Sequence, residues 1–154
     1  MTKIAELHGS PFALNQFHID EFSIKRNPVK PGKPIFTFNP SGLIDYDTSG
    51  YVLTIDFEVK DANDAFTIKC NCIGYFKFKV EEGKSADLKS FFYLNAPAII
   101  FPYIRSYIAS VTALSGLEAV NLPLINFPKS IAENLMQNTK TREPNNSDVT
   151  TSQA

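Results

Sequence analysis

The chain has 154 residues, a length that accommodates one compact domain with a substantial core and requires no second one. Its 15 basic and 16 acidic residues leave a formal net charge of -1, so no field draws it to nucleic acid or to an anionic lipid surface. With 2 His and 2 Cys there is little material for a metal centre, whereas 13 Phe and 6 Tyr point to an aromatic core.

Met1 to Pro11 carries no continuous apolar run of the kind a secretory leader needs, and no 18 uninterrupted apolar residues follow. A cytoplasmic protein without membrane insertion is expected. Phe12 to Lys25 alternates as a rough strand in which a bulge or interruption is expected. Asn27 to Pro34 holds Pro28, Pro31, Gly32 and Pro34, which marks a long connection unsuited to a central strand. Ile35 to Asp47 is a second rough strand, broken by Asn39-Pro40. His8 and His18 have no carboxylate or cysteine cluster at metal spacing and read as ordinary surface or edge-strand residues. Asp45 and Asp47, on either side of Tyr46, read as a solvated face rather than an acid-base pair.

Tyr51, Leu53, Ile55, Phe57 and Val59 alternate with mostly polar residues, the pattern of a half-buried strand. Asp61-Ala62-Asn63-Asp64 then turns the chain into a second alternating run, whose Phe66, Ile68, Cys70, Cys72, Phe76, Phe78 and Val80 share the buried side. A loop of Ala62 and Asn63 sets Phe57 opposite Ile68, Ile55 opposite Cys70, and Asp56 opposite Lys69. Cys70 and Cys72 lie on one strand face with Cα atoms roughly 6.5 to 7 Å apart, at the limit for a disulfide, so reduced core thiols are expected.

The main helix is predicted from Asn95, an N-cap residue type, with Pro97 in a first turn where a missing N–H costs little. Pro102, one turn deeper, is expected to kink or divide it. Ile100, Ile104, Tyr107, Ile108, Val111 and Leu114 recur as one apolar face, while Ser106, Ala109, Ser110 and Ala113 make a second face small enough for close approach by another element. Gly116 is placed to end the helix as a left-handed cap. A shorter helix from about Pro128 to Asn138 carries Ile131, Leu135 and Met136, and Thr139 to Ala154, with Val149 its one large hydrophobe, is expected to be disordered. The pattern is therefore α+β: a four-stranded antiparallel sheet packed with two C-terminal helices in one domain over 1–138, and a tail over 139–154.

Between the helices, Leu117, Val120, Leu122, Leu124, Ile125 and Phe127 make a connection far more apolar than a surface loop. Either it is buried, or it receives something apolar. A groove lined by Leu117, Val120, Leu122, Leu124 and Phe127, with Ile131 and Leu135 from the following helix, would take extended apolar segments of another chain. No Gly-rich phosphate loop, Gly-x-Ser-x-Gly elbow or Walker sequence is present, so nothing in the sequence supports an enzyme, a cofactor or a metal.

Ile-Ile-Phe-Pro-Tyr-Ile-Arg at Ile99 to Arg105, followed by Asn-Leu-Pro-Leu-Ile-Asn-Phe at Asn121 to Phe127, resembles the SecB-type protein-export chaperones. That family keeps a Phe-Pro-Tyr-x-Arg helix start and an Asn-Leu-x-Pro-x-Asn-Phe loop, and the resemblance covers about residues 10 to 138. It implies an ATP-independent holdase that binds non-native polypeptide along apolar grooves of a homotetramer, a dimer of dimers, with no cofactor. Ser106, Ala109, Ser110 and Ala113 are then the candidate subunit contact, with packing on the sheet as the alternative. The family docks the translocation ATPase through acidic residues on its exposed sheet face. Here Glu21 keeps an acid, but Lys25 and Lys69 fall at two of those positions and reverse the sign. Lys140 and Arg142 also balance Glu143 and Asp148 in the tail. The resemblance thus favours a SecB-like chaperone dedicated to an antitoxin client in a toxin-antitoxin-chaperone system over a general export chaperone. A third reading is an α+β domain that binds a small apolar ligand.

Overall fold

The structure, a computed structural model, describes residues 11–79, 85–122 and 129–142. In strand β1 (Phe12–Arg26), Phe12 lies in the core and Leu14, Phe17, Ile19, Phe22 and Ile24 pack against it. A regular strand shows every second residue to one face, yet the steps from Leu14 to Phe17 and from Ile19 to Phe22 are three residues long. Each such step needs one extra residue. The register of β1 against its neighbour shifts between Leu14 and Gln16 and again between Ile19 and Glu21, two bulges that keep all six side chains inward.

Strands β2 (Pro34–Asp45), β3 (Gly50–Asp61) and β4 (Phe66–Phe78) pair antiparallel, and the sheet runs β1-β4-β3-β2-β5. Tyr51, Leu53, Ile55, Phe57 and Val59 of β3 and Phe66, Ile68, Cys70, Cys72, Phe76 and Phe78 of β4 are buried as their alternation requires. The β3–β4 register is displaced by two residues from the expected one: Phe57 faces Cys70, Ile55 faces Cys72, and Lys69 faces Glu58 instead of Asp56. The cause is Asp61, whose carboxylate accepts N–H bonds from Asn63 and Ala65 and so lengthens the turn. A shift of two leaves every side chain on its proper face. The buried thiols of Cys70 and Cys72 are free, 3.5 Å apart.

The helical layer begins earlier than Asn95. Helix α1 (Ser85–Ser90) continues through a π-turn over Phe91–Asn95 into α2 (Ala96–Leu114). Asn95 is itself helical, at φ -76 and ψ -42, and its side chain makes no capping bond. Instead the Ala96 N–H reaches back to the Phe91 carbonyl, and this wide turn buries Phe92. Pro102 sits inside α2 without dividing it. Ile100, Ile104, Ile108 and Thr112, spaced by four, form the stripe buried on the sheet, which turns away from Leu114 and leaves it 87% exposed. Gly74 of β4 allows the close approach, since a Cβ there would lie 3.0 Å from Cγ2 of Ile100. By length and composition the 27-residue helical run Leu88–Leu114 could cross a membrane; here its stripe of Ile100, Ile104, Ile108 and Thr112 is buried.

Helix α3 (Lys129–Gln137) leads into a fifth strand, β5 (Thr139–Arg142), which lies parallel to Gly42–Asp45 of β2. The expected disorder over 139–154 therefore does not hold for these residues; the remainder of the tail lies outside the described residues. Backbone pairing, not hydrophobic content, orders β5. The Gly42 N–H donates to Asn138 O at 3.2 Å, Asn138 Nδ2 donates to Pro40 O at 3.4 Å, and Arg142 lies 3.8 Å from Asp45. Gly42 is required here, because a Cβ would come within 2.7 Å of Thr139 Oγ1.

Tyr51 is fully buried and donates its hydroxyl to Phe92 O at 3.1 Å. Burial pushes its phenol well above the ordinary value of 10.0. The folded state thus holds the neutral form, so this contribution is complete below pH 10 and is lost as pH rises beyond it, by up to about 1.4 kcal/mol per pH unit. Tyr51→Phe is expected to cost about 1 kcal/mol at pH 7 for the lost hydrogen bond. It should also lose less stability than the parent above about pH 10. Urea unfolding of both proteins across that range reads the difference, and parallel alkaline limbs would refute the assignment.

Candidate functional site

The end of α2 sets one wall of a cleft. Gly116, at φ +79, lets the chain reverse, and the Leu117 N–H bonds Thr112 O at 3.2 Å while the Gly116 N–H bonds Ala113 O at 3.4 Å. These are the paired bonds of a Schellman cap, which satisfy the last carbonyls of the helix. Thr112 does more. Its buried hydroxyl donates to Ile108 O at 2.7 Å and accepts the Val120 N–H at 2.9 Å, folding the loop back on the helix. Leu117 and Val120 end half-buried against the core.

The facing wall is the proline-rich connection between β1 and β2, and the buried Asp61 carboxylate holds it. Oδ1 accepts the Gly32 N–H at 2.8 Å, and Oδ2 accepts those of Asn63 at 3.0 Å and Ala65 at 3.1 Å. The Ala62 N–H bonds Lys33 O, and Asn27 bonds Ala65 and Asp64, so the connection is tied along its length to the β3–β4 turn. Between the walls lies a cleft of about 560 Å³, with Val29, Phe66 and Leu117 among its apolar lining and Arg26 and Glu118 as its charged residues. Val29 is 51% exposed, and Arg26 Nη1 reaches across to Gly116 O at 3.5 Å.

Of the residues expected to line a groove, Leu117 borders this cleft, whereas Val120 is half-buried against the core and is not part of the cleft's lining. Ile131 is half-buried on α3. Leu122 and Leu135, at 1% and 0% exposure, are corrected to core residues: each is packed within the subunit and offers no surface to a ligand. Leu124 and Phe127 lie outside the described residues. Val29 and Phe66 were missed. Val29 carried a weak signal, as the one large apolar side chain between Pro28 and Pro31, whereas Phe66 looked like any inward strand residue.

Ser106, Ser110 and Ala113 are exposed and Ala109 is half-buried, so this small-residue face does not pack on the sheet. A depression of about 310 Å³ runs over Ser106 and Ala109 toward Asn121. Glu21, Lys25 and Lys69 are exposed on the opposite, polar face of the sheet. Cross-strand rows order that face: Glu21, Asn71, Asp56 and Asn39; then Ser23, Lys69, Glu58 and Thr37; then Lys25, Thr67, Lys60 and Ile35. Asn71 Nδ2 donates to Asp56 Oδ1 at 2.6 Å within the first row. Among the described residues no group of three His, Cys, Asp or Glu is placed to hold a metal ion.

A mainly antiparallel sheet with helices on one face is an α+β architecture, here with an apolar cleft at the end of the long helix. The family profile described as "Preprotein translocase subunit SecB" matches residues 43–138, and the chain belongs to that family. A protein-export protein SecB of Anaplasma phagocytophilum (strain HZ) is 32% identical over 75 residues, 48% of this chain and 48% of that protein. Another, of Ehrlichia canis (strain Jake), is 28% identical over 65 residues, 42% of this chain and 37% of that protein. The chain thus spans about half the length of the curated relatives it matches. Its fold is shared with the SecB-like chaperone of Mycobacterium tuberculosis, solved in complex with a ChAD peptide from the HigA1 antitoxin. That superposition has a TM-score of 0.64 and 17% identity, covering 75% of this chain and 88% of the other.

Proposed function

We propose that this protein is an ATP-independent holdase that captures non-native polypeptide in the cytoplasm and is dedicated to an antitoxin client. The cleft between Val29 and Leu117 carries the reading, because it leaves large apolar side chains half-exposed between two anchored walls. It acts as a homotetramer, a dimer of dimers, with Ser106, Ala109, Ser110 and Ala113 in the subunit contact, and it uses neither catalysis nor a cofactor. The antitoxin peptide held by the Mycobacterium chaperone supports the choice of client.

Each large client side chain that is fully buried gains roughly 1.5 to 3 kcal/mol, while ordering its backbone costs roughly 1 to 2 kcal/mol per residue. One cleft therefore binds weakly and tolerates many sequences. Repetition around an oligomer makes later contacts intramolecular, so a long unfolded chain gains avidity that a folded one cannot, and no nucleotide is needed. The test is suppression of aggregation of a chemically denatured protein without ATP, by the parent and by Leu117→Asp. Suppression by the parent and its loss in the variant are expected; an inactive parent overturns the reading.

Membership of a family described by preprotein translocation keeps a second reading, delivery of unfolded preproteins to the translocation ATPase. Lys25 and Lys69, exposed where the family carries acids, oppose that docking through like-charge contact. Recovery of the ATPase in a pull-down, with no antitoxin, would reverse the order.

A further inference from the structure

We infer that Cys70 and Cys72 close into a reversible disulfide when a peroxide reaches them, a redox switch that loosens the cleft; its link to client capture rests on the holdase reading, while the bond itself does not. The chain holds 2 Cys, so each sulfur has the other as its sole disulfide partner within the chain. Both are reduced, their Sγ atoms lie 3.5 Å apart on the core face of β4, and a disulfide would shorten that gap by about 1.5 Å. Two positions apart on a strand gives a Cα spacing of roughly 6.5 to 7 Å, at the upper end of what a disulfide accepts, so the bond forms only by drawing in the pleat of β4. Such a strained bond is easily reduced again, which suits a switch and not a structural staple.

The way to the sulfurs is from the β1 side. β1 is an edge of the sheet, and its Phe22 is paired with Cys70. The Phe22 ring packs edge-on to Tyr107 of α2 at 5.3 Å, and both residues are only half-buried. Tyr107 stands close to the thiols: burial first, and then Cys70 and Cys72, push its phenol above the ordinary value. A molecule the size of a peroxide therefore meets two half-exposed rings rather than the deep core. With the Cys72 S–H donating to Cys70, the Cys70 thiol is pushed below its ordinary value and the Cys72 thiol above it, so Cys70 is the attacking sulfur. Its thiolate takes one oxygen of hydrogen peroxide, the O–O bond breaks, and the departing hydroxide takes up the proton that Cys70 lost, as water. The Cys72 sulfur then attacks the resulting sulfenic acid; the S–S bond forms, the S–O bond breaks, and hydroxide leaves with the Cys72 proton as a second water. The thiols lose two electrons and the peroxide gains them. Helix α2 follows β4 from Ile100 over Gly74, past Tyr107 beside the cysteines, toward Leu117 at the cleft, where Phe66, the first residue of β4, is also in the lining. Contraction of β4 between these ends shifts Phe66 against Leu117.

The experiment treats the full chain with hydrogen peroxide, counts thiols after unfolding, and measures intact mass and the affinity for a fluorescent peptide rich in Leu and Phe. Expected are the joint loss of both thiols, a mass lower by two hydrogens, and about tenfold weaker peptide binding, the worth of roughly one apolar side chain removed from contact. Dithiothreitol should restore all three. Cys72→Ala should bind the peptide with an affinity that peroxide leaves unchanged, which separates the disulfide from oxidation of Met136. Both thiols still titratable after treatment, or oxygen added to the sulfurs without an S–S bond, overturn the inference, as does an equal loss of affinity in Cys72→Ala. Disulfide formation with unchanged affinity overturns the switch. Absence of peptide binding by the reduced protein removes the holdase reading and the switch with it, and the bond then stands or falls on the thiol count and the mass.

Discussion

Replacing Asp61 with alanine is expected to lower the free energy of unfolding by about 3 to 5 kcal/mol, which is large for a residue at a turn. The carboxylate is the single acceptor for the N–H groups of Gly32, Asn63 and Ala65. Removing it loses three hydrogen bonds to a charged acceptor and strands the buried Ala65 amide, at about 1 to 3 kcal/mol, while water can reach the amides of the exposed Gly32 and Asn63. Asp61→Asn keeps one carbonyl oxygen and should cost less, about 1 to 3 kcal/mol. Urea unfolding of the three proteins gives the order, and a loss below about 1 kcal/mol in the alanine variant would show that solvent replaces the network. Because Gly32 belongs to the proline-rich wall, peptide affinity should fall in the alanine variant even where it remains folded.

Thr112→Val should cost about 1 to 3 kcal/mol, although the two side chains are nearly the same shape. The methyl that replaces the hydroxyl cannot accept the Val120 N–H, and Ile108 O loses a second donor that it can spare, being a helical carbonyl. The stability lost is therefore mostly that of one stranded amide. Thr112→Ser keeps the hydroxyl and should restore most of it. The sharper readout is local. Amide hydrogen exchange at Val120 should accelerate in the valine variant far more than exchange in β3, and peptide affinity should drop, because the loop that carries Leu117 is no longer tied to the helix through Val120. Uniform acceleration across the protein would assign Thr112 a purely global role.

Much of this architecture is local in origin and so could be read residue by residue. The inward faces of β3 and β4 follow from period-2 alternation that no other element satisfies, and the helix stop follows from Gly116, which takes φ +79 without strain. The bulges of β1 were implicit in the three-residue steps between its apolar pairs. Leu117 and Val120 stood out for the same reason, as large hydrophobes in a segment expected to be polar.

The displaced hairpin register, the ordering of β5 and the second wall of the cleft had no such local signature. The register depends on three backbone donors converging on Asp61, and alternation cannot distinguish a shift of two residues from none. β5 has almost no apolar content; its order comes from an edge of β2 distant in sequence that offers unpaired backbone groups beside Gly42. Leu122 and Leu117 look alike in sequence, yet one is sealed in the core and the other borders the cleft. Local sterics and hydrophobic periodicity are properties of neighbouring residues, and these the sequence determined by itself. Which buried polar group meets which distant amide, and which apolar side chain remains uncovered, depends on chain segments brought together only by folding, and these the tertiary structure decided.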